Sequence, residues 1–249
     1  MKRFEGKRIL ITGGTSGMGL AGAKMIVEEG GEVAVTGTSQ GHLDEAGEAL
    51  PSGSLVLRND ASDPEAAKEL GAKVKEQMGS IDGVWLNAGF GKFGDNTKID
   101  ADTFDGMTNV NVRGPVLQMA QLIPLISDGG SVVVTASVSP YLGQPQGAVY
   151  AATKGAVTAL TRAWAADLAG RNIRANSIAP GPIETNFFEG MGLSDEEVEG
   201  FSKQIKKQVP LGRFGSSEEA AQVALFLLSD QSSYVTGSQY MVDGGMTMR

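Results

Sequence analysis

Along the chain, short runs of aliphatic and β-branched residues alternate with longer stretches in which apolar positions recur every three or four residues. The short runs are RILIT (8–12), EVAVT (32–36), SLVLR (54–58), GVWLN (83–87), SVVVTA (131–136) and IRANSIA (173–179), and SQYMV (238–242) closes the series. Helical spacing predicts elements near 18–29, 41–49, 64–78, 101–126, 149–169, 194–208 and 217–229, with Ser194 and Ser217 as N-caps of the last two. This alternation is the rhythm of βαβ units. Runs with few polar interruptions are buried on both faces, so helices must lie above and below a mainly parallel sheet joined by right-handed crossovers. The expectation is an α/β fold with a doubly wound parallel sheet. No composition break or low-complexity tract interrupts the pattern, so residues 1–249 are expected to form a single domain.

Composition narrows the chemistry. A chain of 249 residues that is 41% hydrophobic can bury a full core, and its 35 glycines call for tight turns and close backbone approaches. With no cysteine, disulfides and thiolate metal sites are excluded. The single histidine, His42, removes histidine-cluster sites and any Ser/His triad not built on it, so no metal centre is expected. A net charge of −8 with scattered lysines and arginines argues against nucleic acid as a partner. The opening MKRFEGKRILITGG holds too short an apolar run for a signal-peptide core or a membrane span, and a cytoplasmic enzyme is the expectation.

TGGTSGMG (12–19) follows the first strand and runs into a helix, where backbone N–H groups and the helix dipole can bind a pyrophosphate. A GxGxxG match at Gly17, Gly19 and Gly22 begins inside the helical pattern, so Gly13, Gly17 and Gly19 are the better set. In that set Gly13 turns the chain, Gly17 admits the phosphate and Gly19 lets helix and strand approach. A strand-to-helix turn without a ligand is the alternative. In VYAATKGAV (149–157), Tyr150 and Lys154 are four apart on a stripe continued by Val157, Leu160, Trp164 and Leu168, so they share a helix face. A phenol with a pKa of about 10 moves protons poorly at neutral pH, and a neighbouring ammonium favours the phenolate. An exposed helix pair would show the same spacing.

TGGTSGMG, Asn87-Ala88-Gly89, Asn111-Val112-Arg113-Gly114, Ser137, Tyr150-x3-Lys154 and Pro180-Gly181 occur in this order, and VDGG follows at 242–245. On these motifs the chain resembles the short-chain dehydrogenases/reductases over essentially its whole length. It is similar to their carbonyl reductase, alcohol dehydrogenase and 3-oxoacyl-carrier-protein reductase members without singling out one. The resemblance implies a Rossmann-type fold and hydride transfer between a nicotinamide cofactor and a carbonyl or secondary alcohol. It implies that Tyr150 is the general acid or base, that Ser137 hydrogen-bonds the reacting oxygen, and that Lys154 holds the nicotinamide ribose and tunes Tyr150. Asn111 would anchor a water linking Lys154 to solvent. Taken singly, Ser137 could end a strand or cap a helix, and Asn111 could be an exposed helix position like Asn109. The implied cofactor set is Gly13, Thr15, Ser16, Gly17, Met18 and Gly19, with Thr38, Ser39, Asp60, Ala61, Asn87, Ala88 and Gly89. Tyr150, Lys154, Pro180, Gly181, Ile183 and Thr185 complete it.

Residues 182–215 are expected to form a substrate lid whose helix opens with a capping box, Ser194-x-x-Glu197. Phe187, Phe188 and Met191 would line the substrate pocket with Ser137, Tyr141, Leu142, Gln144 and Tyr150, and Phe90 is a further candidate; plain packing stays open for each. Such a lining suits a mainly apolar ketone or secondary alcohol. The resemblance also implies a homotetramer built on helices 101–126 and 149–169 and on the closing strand. At the end of the second strand, TGTSQG (36–41) holds no acid to accept hydrogen bonds from the ribose 2′-hydroxyl and to repel a 2′-phosphate, so NADP(H) is favoured, with NAD(H) as the alternative. Thr38 stands where many NADP-dependent relatives have Arg, and Ser16 where others have Lys or Arg; Arg58 is the only nearby candidate cation. The rival from another class is a non-catalytic dinucleotide sensor on the same fold.

Overall fold

Burial of the strands on both faces decides the architecture. The computed structural model describes residues 2–184 and 195–248. These form a seven-stranded sheet of β1 (Arg8–Thr12), β2 (Glu32–Gly37), β3 (Leu55–Arg58), β4 (Ile81–Leu86), β5 (Ile126–Thr135), β6 (Arg174–Pro180) and β7 (Gln239–Val242). The spatial order is β3-β2-β1-β4-β5-β6-β7 and every pairing is parallel. Leu10, Val84, Val132 and Val134 point to one face of the sheet, whereas Ile9, Ile11, Val33, Val35, Trp85 and Val133 point to the other.

The helices are α1 (Gly17–Glu28), α2 (Gln40–Ala49), α3 (Pro64–Met78), α4 (Ala101–Thr108), α5 (Gly114–Leu122), α6 (Ser139–Leu142), α7 (Ala148–Leu168), α8 (Asp195–Gln208) and α9 (Ser217–Leu228). Leu70 and Val74 of α3, Met119 of α5 and Val157 and Trp164 of α7 cover the first face. Ala23 and Ile26 of α1 and Ala221 and Leu225 of α9 cover the second. After β1 the chain moves outward to β2 and β3 and then returns to place β4 on the other side of β1. The carboxyl ends of β1 and β4 therefore flank the crevice where such sheets gather ligands. Among the described residues, no helix is long and apolar enough to cross a membrane.

Three local expectations give way to finer structure. The helix expected over 101–126 is two helices joined by a π turn at Asn109–Arg113, in which Gly114 N bonds Asn109 O. Pro115 explains the break, because it lacks the N–H that would bond the Asn111 carbonyl four residues back and its ring crowds that carbonyl. Pro124 then tightens the end of α5 into a 3₁₀ turn, and β5 starts at Ile126 rather than at Ser131. At α9 the cap is Ser216 rather than Ser217. Ser216 Oγ accepts from Glu219 N at 3.2 Å and Glu219 Oε2 accepts from Ser216 N at 2.9 Å, a complete capping box.

At the amino end of β6 the buried Arg174 ties the sheet to α9. It donates to Leu227 O and Ser229 O at 2.9 Å each and to Ser232 Oγ at 2.5 Å. Arg174→Met would strip the guanidinium donors from these acceptors, leaving Leu227 O to the Ser131 and Ser232 hydroxyls and Ser229 O to Ser232, and should cost about 2 kcal/mol in urea unfolding. A loss below about 1 kcal/mol would show that the guanidinium is replaceable there.

Candidate active site

The β1–α1 turn is built for contact without side chains. Gly13 has φ +61°, and a Cβ on it would lie 2.8 Å from Ala88 Cα. A Cβ on Gly19 would lie 2.4 Å from Gly13 O, so the start of α1 rests directly on the turn. The first-turn amides of Gly17, Met18 and Gly19 have no helical acceptor, Ser16 does not cap them with its side chain, and no acid stands in that turn. Backbone donors and the helix dipole are thus left facing the crevice, which suits a pyrophosphate.

A chain of hydrogen bonds fixes this turn against the neighbouring strands. Thr12 Oγ1 accepts from Asn87 N at 3.1 Å and from Ala88 N at 3.2 Å. Asn87 Nδ2 donates to Gly13 O at 2.9 Å, and Asn87 Oδ1 accepts from Thr135 Oγ1 at 2.9 Å. Thr135 Oγ1 in turn accepts from Trp85 Nε1 at 2.9 Å, and its backbone carbonyl accepts from Lys154 Nζ at 2.9 Å. Sequence reasoning missed Thr12, Trp85 and Thr135. The available signal was position, since both threonines close strands at the ligand-gathering end of the sheet.

Tyr150 and Lys154 lie one turn apart on α7, whose buried Val157, Trp164 and Leu168 orient that face towards the sheet. Lys154 is 5% exposed, and its burial lowers the pKa from 10.5 to about 8. Its Nζ lies 5.8 Å from the centre of the Tyr150 ring. Tyr150 is half-buried, and burial pushes its phenol above the ordinary value while a hydrogen bond with Ser137 opposes that rise. The downward pull expected from Lys154 does not figure in this balance, which desolvation of the phenol sets. Ser137 Oγ accepts from Ser139 N at 3.1 Å, which occupies one lone pair and leaves the hydroxyl proton available.

Asn111 is buried in the π turn. Its Oδ1 accepts from Phe90 N at 3.0 Å, and its Nδ2 donates to Phe90 O at 2.8 Å and to Thr153 Oγ1 at 3.1 Å. The side chain therefore clamps the β4 loop and leaves no donor for a water. The backbone carbonyl, deprived by Pro115 of its usual α-helical donor, is the group that can hold one.

The other expected residues spread around this centre. Thr38 is exposed, and Ser39 caps α2 by accepting from His42 N at 3.5 Å. Asp60 Oδ1 accepts from both Ser62 N and Ser62 Oγ at 2.8 Å, and Ala61 O packs beside Gly114. Pro180 O accepts from Val138 N at 3.2 Å, joining the Ser137 loop to the end of β6, while Gly181 N donates to Val242 O at 3.0 Å. Gly89 lies against the Asn111 amide and the Lys154 ammonium. Ile183 bridges to Gly215, and Glu184 N donates to Gly215 O at 2.8 Å, so both ends of the expected lid are pinned together. Thr185, Phe187, Phe188, Met191 and the cap Ser194 lie outside the described residues.

Tyr141 is 50% exposed and its hydroxyl donates to Gln239 Oε1 on β7; Gln144 is also exposed. Phe93, absent from the expected pocket, packs its ring 5.4 Å from that of Tyr150. It borders a cavity of about 260 Å³ that Met107 and Val149 also line, together with Lys92, Asp95, Lys98 and Asp100. Two lysines and two aspartates thus stand beside the apolar residues of this lining. Gln146, at its rim, has φ +64°, a backbone conformation uncommon outside glycine, and its carbonyl accepts from Gly94 N at 3.0 Å. No cluster of metal-ligating side chains occurs among the described residues.

The family model described as enoyl-(acyl carrier protein) reductase matches residues 13–247. The chain is 38% identical to a 3-oxoacyl-[acyl-carrier-protein] reductase of Thermotoga maritima, over 99% of this chain and 100% of that one. The structure of levodione reductase superposes with a TM-score of 0.92 at 34% identity, covering 99% of each chain. A blue fluorescent protein from a metagenomic library, solved in complex with NADPH, gives a TM-score of 0.90 at 27% identity over 98% of this chain and 99% of that one. With the parallel sheet and the joined Ser137, Tyr150 and Lys154, these matches establish that the chain belongs to the short-chain dehydrogenase/reductase family and is an NAD(P)-dependent oxidoreductase.

Proposed function

We propose that the protein reduces a carbonyl compound, or oxidises the matching secondary alcohol, with NADP(H), and that Tyr150 transfers the proton. The observation that carries this reading is the Tyr150 phenol facing Ser137, one helical turn from the buried Lys154, at the mouth of a crevice whose other wall is the uncapped start of α1. The first-turn amides of α1 would hold the pyrophosphate, and Lys154 would hold the nicotinamide ribose hydroxyls. The cofactor supplies or accepts the hydride at the carbonyl carbon.

In the reductive direction Tyr150 gives its proton to the carbonyl oxygen while Ser137 donates a hydrogen bond to the same atom, so developing negative charge meets two preplaced donors. A phenol raised by burial is protonated throughout the neutral range, which suits the acid role. In the oxidative direction the same group must first lose its proton, so that reaction gains from higher pH. The Asn111 carbonyl would hold the water through which Tyr150 and Lys154 exchange protons with solvent. The mixed lining beside Phe93 favours a substrate that carries a polar group as well as an apolar body. Preference for NADP(H) is supported by the lack of an acid at the end of β2 and by the NADPH-bound structural relative. Exposed Phe104 on α4 and Val116 on α5 support burial of these helices between subunits, in keeping with a homotetramer, and 182–215 is read as the substrate lid.

Tyr150→Phe should lower NADPH-linked ketone reduction about a hundredfold or more while far-ultraviolet circular dichroism stays unchanged. Full turnover in that variant would reject the assignment. Lys154 gives a second expectation, in stability. The unfolded chain holds the lysine proton up to about 10.5 whereas the folded chain releases it near 8, so the unfolded state binds more protons between these values and folding stability rises with pH there. Between pH 8 and 10 the wild type should gain about 2 kcal/mol relative to Lys154→Met in urea unfolding. A difference that stays flat across that window would mean that the buried lysine keeps its proton.

A further inference from the structure

Gly37 ends β2, and the space where its side chain would begin is already filled. A Cβ built there would lie 2.2 Å from Thr15 Oγ1, 2.9 Å from Thr15 Cγ2 and 3.1 Å from Thr15 Cβ. Thr15 is only 4% exposed and is β-branched, so it cannot easily swing aside. The end of β2 therefore lacks more than a carboxylate: it lacks room for one. In the β2–β3 pairing Gly37 faces Arg58, and Asn59 N donates to Gly37 O at 3.0 Å to continue the ladder. Paired residues on adjacent parallel strands project to the same face, so the Arg58 side chain leaves the sheet on the side where Thr15 lies.

Arg58 is exposed and makes no side-chain hydrogen bond or ion pair among the described residues. The nearest acid in sequence, Asp60, turns its carboxylate back onto Ser62, and α2 carries no acid in its first turn. A guanidinium without a carboxylate partner, beside a strand end that has no room for an acid, matches a phosphate monoester, which arginine binds through two parallel N–H donors. We infer that Thr15 and Arg58 set cofactor choice together: Thr15 bars an acid from position 37, and Arg58 binds the phosphate on the adenosine 2′-oxygen. This rests on the NADP(H) reading above and adds the residues that enforce it.

Binding of two adenosine fragments to the cofactor-free protein, measured by calorimetry, tests the inference without any turnover. Wild type should bind adenosine 2′,5′-bisphosphate more tightly than adenosine 5′-monophosphate. Arg58→Gln should weaken the bisphosphate about tenfold and leave the monophosphate within about twofold. Equal weakening of both ligands, or no weakening of either, would overturn the role of Arg58. Gly37→Asp alone should depress binding of both fragments and lower the melting temperature. Adding Thr15→Ala, which leaves only the 3.1 Å contact to relieve, should restore monophosphate binding without restoring the bisphosphate. A clean switch to the monophosphate in Gly37→Asp alone would remove Thr15 from the inference. A wild type that binds neither fragment would sink the cofactor reading itself, whereas one that prefers the monophosphate would sink the NADP(H) preference and leave dinucleotide binding standing.

Discussion

The hydrogen-bond chain from Trp85 through Thr135 and Asn87 to Gly13 is the constraint on which the site depends. It crosses from β5 to the turn after β1, two segments that share no side-chain chemistry of their own. Because the Thr135 carbonyl also receives the Lys154 ammonium, the turn proposed to hold the phosphates and the lysine proposed to hold the ribose are located by one residue. Buried polar groups linked in series reinforce one another, and each would be costly if left alone. The parallel sheet makes this arrangement available: it brings the carboxyl ends of β1, β4 and β5 side by side, so three loops distant in sequence meet within a few ångströms.

Burial and charge oppose each other on α7. Placing Lys154 under the sheet edge brings an ammonium close to the crevice but disfavours its charged form, and the same burial disfavours the Tyr150 phenolate. Both groups are thus biased towards neutrality in the free chain. A neutral, protonated phenol is the reactive form for donating to a carbonyl oxygen, so in the proposed reaction desolvation alone would prepare Tyr150 for reduction. On that proposal the lysine would act as an anchor whose charge has its value where hydroxyl acceptors replace lost water, rather than as a means of ionising the phenol beforehand.

What was legible in the sequence was whatever repeats locally. The seven strands follow from short apolar runs, the choice of Gly13, Gly17 and Gly19 from their place between a strand and a helix, and the shared face of Tyr150 and Lys154 from the period of about 3.6 residues. The π turn was also written locally, in Pro115, but an apolar periodicity spanning 101–126 masked it. Thr135 was illegible for a different reason. Its role lies in a backbone carbonyl and in a hydroxyl that meets Trp85 fifty positions away, and no local pattern encodes such a meeting. The residues from Lys92 to Met107 that border the cavity beside Tyr150 share this difficulty, since Gly94 and Gln146 approach only through the tertiary fold.

The neutral stretch after β2 shows how the same residue can carry more than its composition says. Read along the chain, Gly37 is a missing carboxylate, and a missing charge can be restored by one substitution. In three dimensions it is a missing volume, because the turn after β1 has put Thr15 into the space that an aspartate would need. Specificity built on repulsion of the wrong ligand normally needs a charge or a clash at the point of contact. Here the clash is internal to the protein and acts on its own possible side chains, so the inferred preference at the adenosine end would be coupled to the geometry of the turn after β1. An acid at position 37 would have to be matched by a smaller residue at position 15, so on this inference the two positions would not drift independently.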